Sequence, residues 1–164
     1  MTTKPSNAVL LERVMSMGNE ACFTIALQCR RIRNAEPEDE VFLFRREADI
    51  RFLIIALVRL RRCALLAIGV DEISAELKSA IETFDNAIPF LVKLRNVDQH
   101  IDDYLLGLGR RKDVQRGDLQ VNTWDGSTFG WLGEMLNIDL AEKAASELFS
   151  AIRNVSKQWK PPPE

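Results

Sequence analysis

Residues 52–70 read FLIIALVRLRRCALLAIGV, a run in which the only charges are Arg59, Arg61 and Arg62. On a 3.6-residue repeat its apolar side chains fall on almost every side, so it predicts a helix buried nearly all round. A membrane span needs roughly 20 apolar residues without such interruptions, and the arginines argue against one. A helix of this kind must instead be covered by other helices, which is the organisation of a bundle.

The flanking sequence supplies them. Residues 7–33 place Leu10, Val14, Met17, Ala21, Ile25 and Cys29 at spacings of three and four, predicting a first helix that ends near Asn34-Ala35-Glu36-Pro37. Glu38, Asp39 and Glu40 suit the first turn of the second helix, which runs through Phe42, Phe44, Phe52, Leu53, Leu57, Leu60 and Ala64 to a stop at Gly69. A third helix spans about Asp71 to Asn86, with Leu77, Ile81 and Phe84 inward. Pro89 fits the first turn of a fourth, whose stripe is Phe90, Leu94, Val97, Ile101, Tyr104 or Leu105, and Leu108, ending at Gly107 and Gly109. After a polar, basic loop (RRKDVQRGD, 110–118), Asp125-Gly126 between Val121/Trp124 and Phe129/Trp131 signals a hairpin. The last helix starts at Asp139, read as its N-cap with Glu142 three residues on, and continues to about Trp159. The expected fold is all-α: an antiparallel bundle of about five helices with a small β-hairpin before the last, residues 1–160 forming one domain and 161–164 a frayed, extended tail.

Composition narrows the function. The 164 residues carry 22 Lys plus Arg against 24 acids, a net charge of −2, so bulk positive charge does not hold this chain to nucleic acid and only a local basic patch could. Three cysteines, an odd number, argue for reduced thiols rather than a disulfide framework; Cys22, Cys29 and Cys63 read as small core residues. No targeting segment stands out, and the expectation is a cytoplasmic protein without a membrane association. The single histidine excludes any mechanism that needs a His cluster within one chain.

That histidine lies in LVKLRNVDQHIDDYL, residues 91–105, where Arg95 is followed by Asn96 and, after three more residues, by His100. The arrangement resembles the Arg-x4-His signature of HEPN domains, small all-α proteins of prokaryotic defence and toxin–antitoxin systems. The resemblance implies a metal-independent endoribonuclease without cofactors, formed by a homodimer in which Arg95 and His100 of both copies meet in one cleft, and regulated by a cognate antitoxin. A subgroup of the family places tyrosine two residues after the histidine; here Asp102 stands there and Tyr104 follows two positions later.

The residue types suit RNA cleavage on their own terms. Attack by a 2′-hydroxyl needs a group that moves protons near neutral pH, which imidazole does, and a cation for the developing phosphorane charge, which a guanidinium fork provides. Asn96, one turn before His100, can orient the ring or a phosphate, and Asp103 can fix the imidazole tautomer; Tyr104 is a further supporting residue. On an ideal helix Arg95 and His100 stand roughly 140° apart. Either the helix is irregular between them, or the arginine curls round, or a second subunit completes the site. A dimer would also provide two histidines, one for each proton transfer.

The loop residues Arg110, Arg111, Lys112 and Arg116 are candidates for contact with RNA phosphates, since they follow the helix that carries the motif. Arg45, Arg46, Arg51, Arg59, Arg61 and Arg62 could line an RNA groove or pair with acids of neighbouring helices. Trp124, Phe129 and Trp131 could stack on bases or pack the hairpin against the bundle. Asp98, Asp102 and Asp103 lack a fourth ligand, so no metal site is expected. The rival to a nuclease is a non-catalytic helical interaction protein or an RNA-binding module without turnover.

Overall fold

The computed structural model describes residues 5–34 and 44–160. Its elements, in chain order, are α1 (Asn7–Arg33), α2 (Arg45–Ala67), α3 (Ser74–Ala87, after a 3-10 turn at Asp71–Ile73), α4 (Leu91–Gln99), α5 (Ile101–Leu105), a 3-10 turn at Arg116–Gln120, strands β1 (Asn122–Trp124), β2 (Thr128–Trp131) and β3 (Glu134–Asn137), and α6 (Ile138–Gln158). It is the expected helical bundle with a small antiparallel sheet before the last helix.

The core is centred on α2. Ile50, Leu53, Ile54, Ala56, Leu57, Val58, Leu60, Cys63, Ala64 and Ala67 are all buried, so its sides are covered almost completely. Helix α1 lays Leu11, Val14, Ala21, Ile25, Cys29 and Ile32 against it, α3 adds Leu77, Ile81 and Phe84, and α6 adds Ala141, Ala145, Leu148, Ile152 and Val155. Cys29 and Cys63 are buried thiols and Cys22 is half-buried; desolvation pushes Cys29 up to about 12, so it packs as an apolar group.

The outer ends of α2 differ from the reading above. Helix α2 begins at Arg45, and Phe44 and Phe52 face solvent; Glu38 to Glu40 and Phe42 lie outside the described residues, as does the 161–164 tail. Most arginines of α2 contact neighbouring elements. Arg61 grips Asp85 of α3 through two bonds of 2.6 Å, Arg59 lies 3.3 Å from Glu20 of α1, Arg51 lies 3.3 Å from Asp98 of α4, and Arg46 stacks over the Trp124 ring at 5.2 Å. Arg51, Arg59 and Arg61 are cross-links between helices.

Three boundaries move for local reasons. The α6 cap is Asn137, whose Oδ1 accepts from Leu140 N at 2.9 Å; Asp139, expected to cap, sits in the first turn and receives Arg33 at 2.6 Å instead. The hairpin gains a third strand, β3, through a two-residue turn at Leu132 and Gly133, with φ of 56° and 76°. Positive φ at both central residues is the turn that matches strand twist, although Leu is a rare occupant of it. In this sheet Phe129 and Trp131 are buried and Trp131 Nε1 donates to Leu119 O at 3.2 Å. Trp124 packs partly against the core. These aromatics anchor the sheet to the bundle.

The third shift matters most for the site. The fourth helix is not continuous to Leu108: it stops at Gln99, and His100 (φ −124°, ψ 32°) separates α4 from α5. Asp102 and Asp103 occupy the first turn of α5, where carboxylates favour a new helix start. Of the two alternatives for the stripe, Tyr104 is buried and Leu105 is exposed, and Leu108, expected inward, faces solvent.

Candidate functional site

The break at His100 opens a cleft of about 310 Å³ lined by Asn96, His100, Asp103, Tyr104, Gly109, Arg110 and Arg111. Helix α4 brings Asn96, α5 brings Asp103 and Tyr104, and the loop after α5 folds back to bring the arginines. Two contacts hold that loop. Tyr104 Oη accepts from Arg111 N at 3.4 Å, and Gly109 lies flat against the Tyr104 ring, so closely that a Cβ there would run into it.

His100 itself is well exposed, at 61% of its side chain, and Asp103 Oδ2 lies 3.7 Å from its Nδ1. That is beyond a hydrogen bond, so the carboxylate stands beside the ring without fixing it. The opposite ring nitrogen is left for a ligand. Asn96 Oδ1 accepts from Arg95 Nη1 at 2.9 Å, which leaves the Asn96 amide N–H groups for the cleft.

Arg95 does not line the cleft. Its side chain curls onto Asn96 and reaches the site only through it, in keeping with the wide angle between positions 95 and 100 on a helix. Of the loop cations, Arg110 and Arg111 line the cleft, whereas Lys112 turns away to donate to Gly109 O at 3.3 Å and Arg116 lies beside Gly107. Arg110 has no acidic partner among the described residues. Arg111 does: its Nε and Nη2 bind Asp113 at 3.1 and 3.0 Å, raising the guanidinium and holding the Asp113 carboxyl below the usual carboxylate range.

The sequence reading passed over Lys93. Only 12% exposed, its Nζ donates to Leu132 O at 3.0 Å and to Glu134 Oε1 at 2.8 Å, and lies 3.6 Å from Asp113 Oδ2. It ties α4, the β2–β3 turn and the cleft loop together. No periodicity could find it, because the partners are 39 and 41 positions away and meet it only in the fold.

Among the described residues no group of three or more His, Cys, Asp or Glu side chains could hold a metal ion, and no helix is long and apolar enough to cross a membrane. Compared with protein-family models, with curated proteins and with solved structures, the chain matches none of them.

Proposed function

We propose that the protein is a HEPN-like, metal-independent endoribonuclease, the toxin or effector of a toxin–antitoxin or antiphage module, which cuts RNA in a cleft completed by a second copy of the chain. The observation that carries this reading is the exposed His100 at a helix break, sharing one cleft with Asn96, Asp103, Arg110 and Arg111. His100 thus lies in a hollow that Arg110 and Arg111 also line.

In the reaction, His100 accepts the 2′-hydroxyl proton as the 2′-oxygen attacks phosphorus. The 5′-oxygen leaves, taking a proton from an imidazolium, and the products are a 2′,3′-cyclic phosphate and a 5′-hydroxyl. One ring cannot be base and acid in the same step, so the second copy's histidine supplies the other transfer. Asp103, 3.7 Å from Nδ1, is placed to orient the ring. Arg110, Arg111 and the Asn96 amide bind the phosphate oxygens. Arg95 holds Asn96 within its own chain, and in a two-fold assembly the second copy would supply a guanidinium from the opposite side.

The test is cleavage of single-stranded RNA in the presence of a chelator by wild type and His100→Ala, with the oligomeric state of both measured. Loss of at least about 100-fold in His100→Ala, with the fold and dimer retained, is the expected result. Intact RNA with a well-folded wild-type dimer would reject the enzyme. Cleavage unaffected by the substitution would assign it to a contaminant.

A further inference from the structure

Asp113 occupies the fork of Arg111, one of the two arginines that line the cleft. Arg111 offers it two donors, Nε to Oδ1 at 3.1 Å and Nη2 to Oδ2 at 3.0 Å. The same fork is what an arginine presents to two oxygens of a phosphodiester. Both side chains are about half exposed, 47% and 52%, so an incoming anion can reach the pair. Behind the carboxylate is a second cation. Lys93 Nζ lies 3.6 Å from Asp113 Oδ2 and is held in place by Leu132 O and Glu134. The carboxylate therefore sits between a solvent-facing guanidinium and a nearly buried ammonium, paired with both.

We propose that Asp113 is a built-in placeholder for an RNA phosphodiester: it fills the Arg111 fork in the free protein and passes to Lys93 when a substrate phosphate takes the fork. This rests on the reading of the cleft as an RNA site. Asp113 Oδ2 is already paired with Lys93 Nζ at 3.6 Å, so opening the fork does not leave the carboxylate without a counter-charge. It also sets a threshold, since an anion that cannot present two oxygens to the fork does not displace the carboxylate. Asp113 is held in its anionic form by Arg111 and Lys93, so the competition operates at neutral pH.

The experiment measures binding of a fluorescent single-stranded oligonucleotide carrying 2′-O-methyl groups, which has no nucleophile and is not cut. Asp113→Asn should bind about two- to fivefold more tightly, the range set by an exposed ion pair, with a salt dependence steeper by about 0.7 in log–log slope. Asp102→Asn, which removes the same charge nearby without touching Arg111, should leave affinity nearly unchanged. In an Arg111→Ala background the gain from Asp113→Asn should vanish. Lys93→Met should weaken binding in the wild type but not beside Asp113→Asn; if it does not fold, the Arg111 cycle decides. Unchanged affinity in Asp113→Asn, an equal gain in Asp102→Asn, or a gain that survives Arg111→Ala would each overturn the placeholder. The nuclease is judged separately: a placeholder signature with no cleavage by any variant removes the enzyme and keeps the switch, and His100-dependent cleavage with an inert Asp113 does the reverse. Absence of oligonucleotide binding in every variant removes both.

Discussion

Two glycines respond unequally to the same added methyl group. Gly133 has φ of +76° with open space around it, so Gly133→Ala meets no neighbour and its cost is backbone strain alone. A loss of about 1 kcal/mol in a urea melt is expected. Gly117 has ordinary φ and equally open surroundings, so Gly117→Ala should stay within about 0.5 kcal/mol of wild type. Site residues divide along a similar line. His100 was legible because it is the only imidazole, and Asn96 because it lies one turn away on the same element. Lys93 and the Arg111–Asp113 fork were not, since a lysine in an amphipathic stretch and an Arg-x-Asp in a basic loop look like ordinary solvated surface until the fold brings them together.

At the scale of elements, caps and breaks decide more than propensity. Asn137→Ala should cost about 1 kcal/mol, as the loss of a side-chain cap does. Asp139→Ala should cost less than half of that in high salt, because its carboxylate makes an exposed ion pair with Arg33 instead of a cap. Comparison of the two melts checks the assignment directly. Five of the helices could be placed from apolar spacing, since Leu77, Ile81 and Phe84, or Leu94 and Val97, repeat at the helical period and are buried as that period requires. The interruption at His100 could not. Its neighbours have no proline or glycine to announce it, and an unbroken stripe through Leu108 fits the sequence equally well. Strand β3 escaped for a related reason: its turn uses Leu132 in place of the usual asparagine or glycine.

For the whole molecule, α2 bears the load. Leu57 has no exposed surface, and Leu57→Ala should destabilise the protein by about 2–5 kcal/mol, measured by thermal or denaturant unfolding. Phe52, five residues earlier on the same helix, is exposed, and Phe52→Ala should change stability by no more than about 0.5 kcal/mol. The contrast separates the covered sides of the central helix from its one open edge. The ion pairs from its arginines to Glu20, Asp85 and Asp98 fasten α1, α3 and α4 around it.

The order of apolar and polar residues along the chain determined by itself that a central helix would be wrapped by others and that a small sheet would precede the last helix, and its composition that a single imidazole would be present. Those are local or periodic properties, set by hydrophobic spacing and by residue type. Tertiary structure alone decided that the helix would break at His100, that Tyr104 and Gly109 would fold the basic loop back over the break, and that Arg95 would reach the cleft only through Asn96. Such outcomes depend on which distant groups compete for the same space and the same charge, and that competition exists only once the chain has packed.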